Sequence, residues 1–198
     1  MQRLLVASYN SKKLKELKEL LCDLPVELLS LHEFSNVFEV EEDAHTFKEN
    51  AAKKALEYAK QTACLTLADD SGLTVDYLNG APGVRSARFS GSEKDDLKNC
   101  QKVLKLLEGV SKEKRTAQFR CAAALADPTQ VLFVIEESVS GYLTEELIGE
   151  NGFGYDPLFF YPEFGKTFGE IAIDLKHSVS HRGKALRKIK EFLLEYLK

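Results

Sequence analysis

Between Cys64 and Leu73 an apolar run, Cys64 to Ala68, breaks into two adjacent carboxylates, a hydroxyl and a glycine, Asp69-Asp70-Ser71-Gly72. Apolar residues on both sides place the acids at the end of a buried strand. Charge there is costly unless it is paired or held on a cation. Acidic groups kept in such a place point to metal or proton chemistry. The competing reading is a capped turn, for which Asp, Ser and Gly are ordinary residues. The rest of the chain has to decide between the two.

A chain of 198 residues is one domain's worth, 1–198, with room for two lobes and a real core. Lys and Arg number 27 against 31 Asp and Glu, so the net charge is 27 − 31 = −4. No overall basic field draws such a chain to nucleic acid or an anionic membrane, and any anion site has to be built locally. Cys22, Cys64, Cys100 and Cys121 form no C-x-x-C pair and lie in apolar neighbourhoods. They read as buried free thiols of a reducing compartment, and a zinc site is not expected. The first apolar run is too short for a signal peptide and no later one spans a bilayer, so a cytoplasmic location is expected.

Periodicity places the elements. Leu4 to Ala7 is a short strand, and Ser11 to Cys22 is a helix with Leu14, Leu17 and Leu21 on one face. Val26 to Leu31 is a second strand. Thr46-x-x-Glu49 is a capping box opening a helix through about Gln61, with Phe47, Ala51, Ala55 and Ala59 in register. A third helix runs Glu93 to Glu108, with Leu97, Cys100, Leu104 and Leu107 as its stripe and Gly109 at its end. Alternation from Ala117 to Leu125, the turn Asp127-Pro128-Thr129 and a return over Val131 to Val139 predict a hairpin. Ala185, Ile189, Phe192, Leu193 and Tyr196 mark a last helix. The mixture predicts an α/β fold, a mixed central sheet flanked by helices.

Four further segments carry chemistry. Ser8-Tyr9-Asn10-Ser11-Lys12-Lys13 joins the first strand to the first helix, where unpaired N–H groups and the helix dipole suit phosphate and Lys13 adds a full charge. A plain N-cap is the competing reading. Glu41-Glu42-Asp43 precedes the helix bearing Lys53 and Lys54. Magnesium on a nucleotide takes one or two carboxylates plus phosphate oxygens, and Glu42 with Asp70 would supply them. Lys53 and Lys54 diverge by about 100°, so one of the two faces the ligand. Gly152-Phe153-Gly154-Tyr155-Asp156-Pro157 offers close backbone approach and an aromatic surface. Lys176-His177-Ser178-Val179-Ser180-His181-Arg182-Gly183 opens the last helix with cations that oppose its dipole unless an anion or carbonyl lies nearby. The bland alternatives are a glycine-rich turn and a surface basic cluster. No Walker A pattern is present.

Six motifs occur in order: Ser8-x-Asn10-x-x-Lys13, Phe47-x-Glu49-Asn50-Ala51, Ala68 to Leu73, Gly80-Ala81-Pro82-Gly83-Val84-x-Ser86-Ala87-Arg88-Phe89, Gly152 to Pro157, and Ser180-His181-Arg182-Gly183-x-Ala185-Leu186. Together they resemble the inosine/xanthosine triphosphate pyrophosphatase family over nearly the whole chain. The resemblance implies two lobes with an active-site cleft between them, a magnesium cofactor, a homodimer and a purine nucleoside triphosphate substrate. It puts Ser8, Asn10 and Lys13 on the phosphate loop and Lys54 on the lysine of the following helix. Glu42 and Asp70 fall on the metal carboxylates, with Glu41 as the alternative to Glu42. Asp70 also falls on the catalytic base. Ser71, Phe153, Gly154, Tyr155, Asp156, Lys176, His181 and Arg182 fall on nucleotide-binding positions. Ser8 stands where threonine is usual, Lys12 where glycine is usual, and Thr167-Phe168-Gly169-Glu170 replaces T-x-A-E.

The activity this implies is hydrolysis of ITP, dITP or XTP to the monophosphate and pyrophosphate. Asp70 is the base for the attacking water and Asp69 the second candidate, because neighbouring carboxylates are not separable by sequence. Inosine and xanthosine carry a 6-oxo acceptor and an N1–H donor that adenine reverses. A donor from His181 or Arg182 facing O6 would therefore reject ATP. Rival readings are a hydrolase of modified pyrimidine nucleotides and a nucleotide-binding regulatory module, which would need no carboxylate pair.

Overall fold

The computed structural model describes residues 2–198. Seven strands form one sheet in the order β2-β1-β3-β4-β5-β6-β7. They are β1 (Gln2–Val6), β2 (Val26–Ser30), β3 (Leu65–Val75), β4 (Thr116–Ala126), β5 (Val131–Leu143), β6 (Phe159–Tyr161) and β7 (Lys166–Thr167). β1 runs parallel to β2 and β3, whereas β6 is antiparallel to β5 and β7. The helices are α1 (Ser11–Leu21), α2 (Phe47–Thr62), α3 (Asp96–Leu106), α4 (Ile173–Val179) and α5 (His181–Tyr196). This is the mixed α/β sheet with helices that the sequence predicts.

The chain divides into two compact units: Met1–Asp70 with Cys121–Glu137 and Arg182–Lys198, and Ser71–Arg120 with Ser138–His181. In the first, Leu4 and Val6 of β1, Leu17 and Leu21 of α1, Leu67 of β3, Leu125 of β4 and Ile189 and Leu193 of α5 make the core. In the second, Leu73, Val103, Phe119, Leu143, Phe159 and Phe168 do so, with Phe119 against Phe159 at 4.6 Å between ring centres.

Several local readings need correction. β3 does not end at the acids: it continues through Asp69-Asp70-Ser71-Gly72 to Val75, so neither a strand end nor a capped turn describes the segment. The third helix starts later than expected, with Asp95 as its N-cap, and Leu97 is exposed while Val103 fills the stripe. Tyr196 is likewise exposed on α5, and Cys22 is an exposed thiol, unlike the other three. The hairpin return is longer than read, reaching Leu143. Lys176 lies on α4, a short helix that the sequence reading merged with the start of α5. The capping box of α2 forms as predicted, with Thr46 and Glu49 exchanging bonds and Phe47, Ala51, Ala55 and Ala59 buried.

Candidate active site

In the first unit, Asn10 caps α1. Its Oδ1 accepts from the backbone N–H groups of Lys12 and Lys13 at 3.0 and 3.1 Å, and its own N–H donates to Ser8 Oγ. Ser8 and Asn10 thus build the loop. Lys12 sits inside α1 and is not among the residues with positive φ, so the usual glycine's conformational freedom is not required there. Lys13, one turn along, reaches Asp69, with Nζ 3.3 Å from Oδ2.

Successive residues of a strand point to opposite faces, so Asp69 and Asp70 meet different surroundings. Asp69 is buried. Besides Lys13 it has Arg182 Nη2 at 3.6 Å, and Arg182 also pairs with buried Glu16 at 2.5 Å. Burial alone would raise the Asp69 pKa, but the charges of Lys13, Arg182 and Lys54 hold it well below the carboxylate range. Arg182 is correspondingly locked as a cation: its acids outweigh the burial. Arg182 in the first turn of α5 is therefore answered by acid side chains, and a surface basic cluster is the wrong description, since Lys176, His181 and Arg182 are all buried. Cys121, beside Asp69, has its thiol pushed up to about 12 by burial and that neighbouring charge.

Asp70 behaves in the opposite way. Burial, joined by the negative charge of Glu42, pushes it up to about 6 against the pull of Lys13, Lys54 and a hydrogen bond from Asn50. That bond runs from Asn50 Nδ2 to Asp70 Oδ2 at 2.9 Å. The two neighbouring carboxyls are thus held differently, Asp69 Oδ2 by the cations Lys13 and Arg182 and Asp70 Oδ2 by the Asn50 amide.

Lys54 is the inward lysine of α2. Its Nζ donates to Glu42 Oε1 at 2.5 Å and to the Asp69 carbonyl at 2.8 Å, and the nearby acids keep it charged despite burial. Lys53 points to exposed Asp43 instead. Glu42 is half-buried on this pair, whereas Glu41 is exposed. Among the described residues no group of three or more His, Cys, Asp or Glu forms a metal cage made of protein alone. One or two carboxylates are what magnesium takes when phosphates complete its shell, and a raised Asp70 beside Glu42 is an acid pair that a cation would relieve.

The second unit holds the remaining residues. Ser71 is half-buried on β3. Next to it, a Cβ on Gly72 would lie 2.3 Å from Ser86 Oγ and 2.6 Å from the Gly83 carbonyl, so only glycine fits. The turn Gly152 to Asp156 is tied by Asp156, whose Oδ2 accepts from the Phe153 N–H at 2.8 Å and from Lys176 Nζ at 2.7 Å. Lys176 also lies 5.0 Å from the Phe153 ring centre. Gly154 donates its N–H to Asp96, and Tyr155 donates its hydroxyl to the Ser86 carbonyl. His181 stacks on Phe119 at 4.8 Å.

Two residues of the first unit were not singled out by sequence. Asn50 lies inside a noted motif, and Glu16 sits three residues after Lys13 on the same helix face, which is the one local signal for it.

The Ham1 family pattern matches residues 4–192. The dITP/XTP pyrophosphatase of Desulforamulus reducens is 53% identical over 191 residues, covering 96% of this chain and 95% of that protein. The dITP/XTP pyrophosphatase of Bacillus subtilis is 46% identical over 193 residues, covering 98% of each. The solved structure of a HAM1 protein from Coxiella burnetii superposes with a TM-score of 0.89 at 42% identity, covering 98% of this chain and all of that one. The Staphylococcus aureus Ham1 protein gives 0.88 at 36%, covering 98% of this chain and 100% of that one. A match over nearly the whole length, in sequence and in fold, establishes that the chain belongs to the Ham1 family.

Proposed function

We propose that this chain hydrolyses dITP, ITP and XTP to the nucleoside monophosphate and pyrophosphate, removing aberrant purine nucleotides from the pool. The names of its relatives support the reaction. The observation that carries it is the buried Asp70 carboxyl, bonded by Asn50, with Lys54 joining Glu42 to the neighbouring Asp69 carbonyl and Lys13 set on Asp69. Asp70 takes the proton of the water that attacks the α-phosphorus. Asp69, held ionised by Lys13 and Arg182, positions those cations rather than acting as base. Lys13 and Lys54 bind and orient the phosphates, with the α1 N-terminus contributing only about 0.3–1 kcal/mol.

Glu42 and Asp70 would hold a magnesium ion, and their hard oxygen donors suit it. When bound, the ion supplies charge neutralisation of the leaving pyrophosphate. Phe153 to Asp156, Lys176, Ser71 and His181 are the groups for the nucleoside. His181 is the favoured donor to O6, because Arg182 already faces Glu16 and Asp69. We further propose a homodimer in the cytoplasm. No helix among the described residues is long and apolar enough to cross a membrane.

The test is pyrophosphate release from ITP, XTP, dITP, GTP and ATP with magnesium. Preference for the first three over ATP by roughly 10⁴ in kcat/KM supports the reading. Equal rates on ATP, or no pyrophosphate from any of them, would overturn it.

A further inference from the structure

Glu42 stands on a stretch without regular secondary structure, 34–46, that runs beside α2. One face of that helix fastens it. Gln61 Oε1 accepts from the Phe38 N–H at 2.7 Å, and Tyr58 Oη accepts from the Val40 N–H at 3.1 Å. Lys54 holds Glu42 itself, and Asn50 Oδ1 accepts from the Ala44 N–H at 3.0 Å. Residues 50, 54, 58 and 61 are spaced by four, four and three, which places them on a single stripe.

Gln61 spends both ends of its amide on Phe38, whereas the two ends of the Asn50 amide reach different segments, one of them the Asp70 carboxyl itself. Nδ2 donates to Asp70 while Oδ1 accepts from Ala44, two residues after Glu42. The orientation is forced: a carboxylate only accepts and a backbone N–H only donates, so the flipped amide satisfies neither. The side chain is 1% exposed in the first turn of α2, where asparagine is a poor helix former, so its value lies in these contacts.

We infer that Asn50 is a positioning residue that ties the Glu42 segment to Asp70 and sets the separation of the two acids for the cation. The inference rests on the proposed roles of Glu42 and Asp70. Neither aspartate nor leucine replaces it. Aspartate would put a like charge against Asp70, and leucine would leave both partners without a bond.

The experiment compares Asn50→Leu, Asn50→Ser and Gln61→Ala. The last removes another fastener that touches neither acid. Magnesium is titrated calorimetrically into each protein with α,β-methylene-ITP bound, alongside kcat and KM for ITP and the amide exchange of Ala44. Both Asn50 variants should lose about 10- to 100-fold in magnesium affinity and in kcat, as loss of a residue orienting a metal ligand does. KM at saturating magnesium should hold, and Ala44 should exchange faster. Gln61→Ala should keep wild-type magnesium affinity and kcat. Wild-type magnesium affinity in both Asn50 variants overturns the inference, and so does an equal loss in Gln61→Ala, which would indicate general loosening of the segment. Asn50→Ser, smaller and compatible with the same backbone, carries the test if Asn50→Leu does not fold. Should Asp70→Asn remain fully active, the acid-pair reading fails separately, and Ala44 exchange still reports whether Asn50 fastens the segment.

Discussion

Asp69 and Asp70 are neighbours in one strand, yet the same substitution should move the stability of the protein in opposite directions. Asp70 titrates at about 6 in the fold against an ordinary 3.8. A raised pKa means that its contribution to stability is fully present below pH 3.8 and is lost as pH rises through about 6. At pH 8 the ionised side chain works against the fold. A shift of roughly two units at 1.36 kcal/mol each is about 3 kcal/mol. Asn at 70 still accepts from Asn50, so Asp70→Asn should stabilise the metal-free protein by about 1–3 kcal/mol at pH 8. At about 2–4 °C per kcal/mol for a chain of this size, Tm rises by roughly 2–12 °C. The gain should shrink toward zero at pH 4. Asp69 has the reverse sign. Its lowered pKa gives stability that is present above pH 3.8 and is lost as pH falls through its depressed value. Asp69→Asn leaves Lys13 and Arg182 without their shared counter-charge and should cost about 3 kcal/mol, the low end for a broken buried pair because Arg182 keeps Glu16. Thermal unfolding of both variants from pH 4 to pH 8, metal-free, reads this out. A destabilised Asp70→Asn at pH 8, or a gain that does not change with pH, would refute the reasoning.

Other outcomes follow from the same contacts. Arg182→Leu should destabilise by about 3–5 kcal/mol by stranding buried Glu16 and leaving Asp69 to Lys13 alone of its two ion-pair partners, seen as a lower urea midpoint. Lys54→Met should lower kcat by more than 10-fold while Lys53→Met, whose ammonium pairs with exposed Asp43, leaves steady-state rates unchanged. Thr46→Ala should cost about 1 kcal/mol through the lost α2 cap, measured by chemical denaturation.

How much was legible depended on the range of each interaction. The hairpin was readable because alternation from Ala117 to Leu125 and the Asp127 turn are local, and Asp127 Oδ1 does accept from the Thr129 and Gln130 N–H groups. The α2 box was readable for the same reason. β3 was cut short in the reading because Asp, Ser and Gly are poor strand formers. What keeps them extended is tertiary: Asn50 and Lys13 on the acids, and Ser86 against Gly72. The Asn50–Asp70 bond spans 20 residues and the Arg182–Glu16 pair spans 166, so no local pattern encodes either. Leu97 and Tyr196 kept the helical period but fell on solvent, since period fixes a face without fixing its width. The two aspartates are alike in sequence and differ only in the partners that the fold brings to each, Lys13 and Arg182 to Asp69 and Asn50 to Asp70.

Hydrolysis of ITP in ¹⁸O-labelled water, with product mass measured, tests most directly whether water attacks the α-phosphorus. One labelled oxygen in the inosine monophosphate, with unlabelled pyrophosphate, is the predicted result. Label in pyrophosphate or in orthophosphate would contradict it.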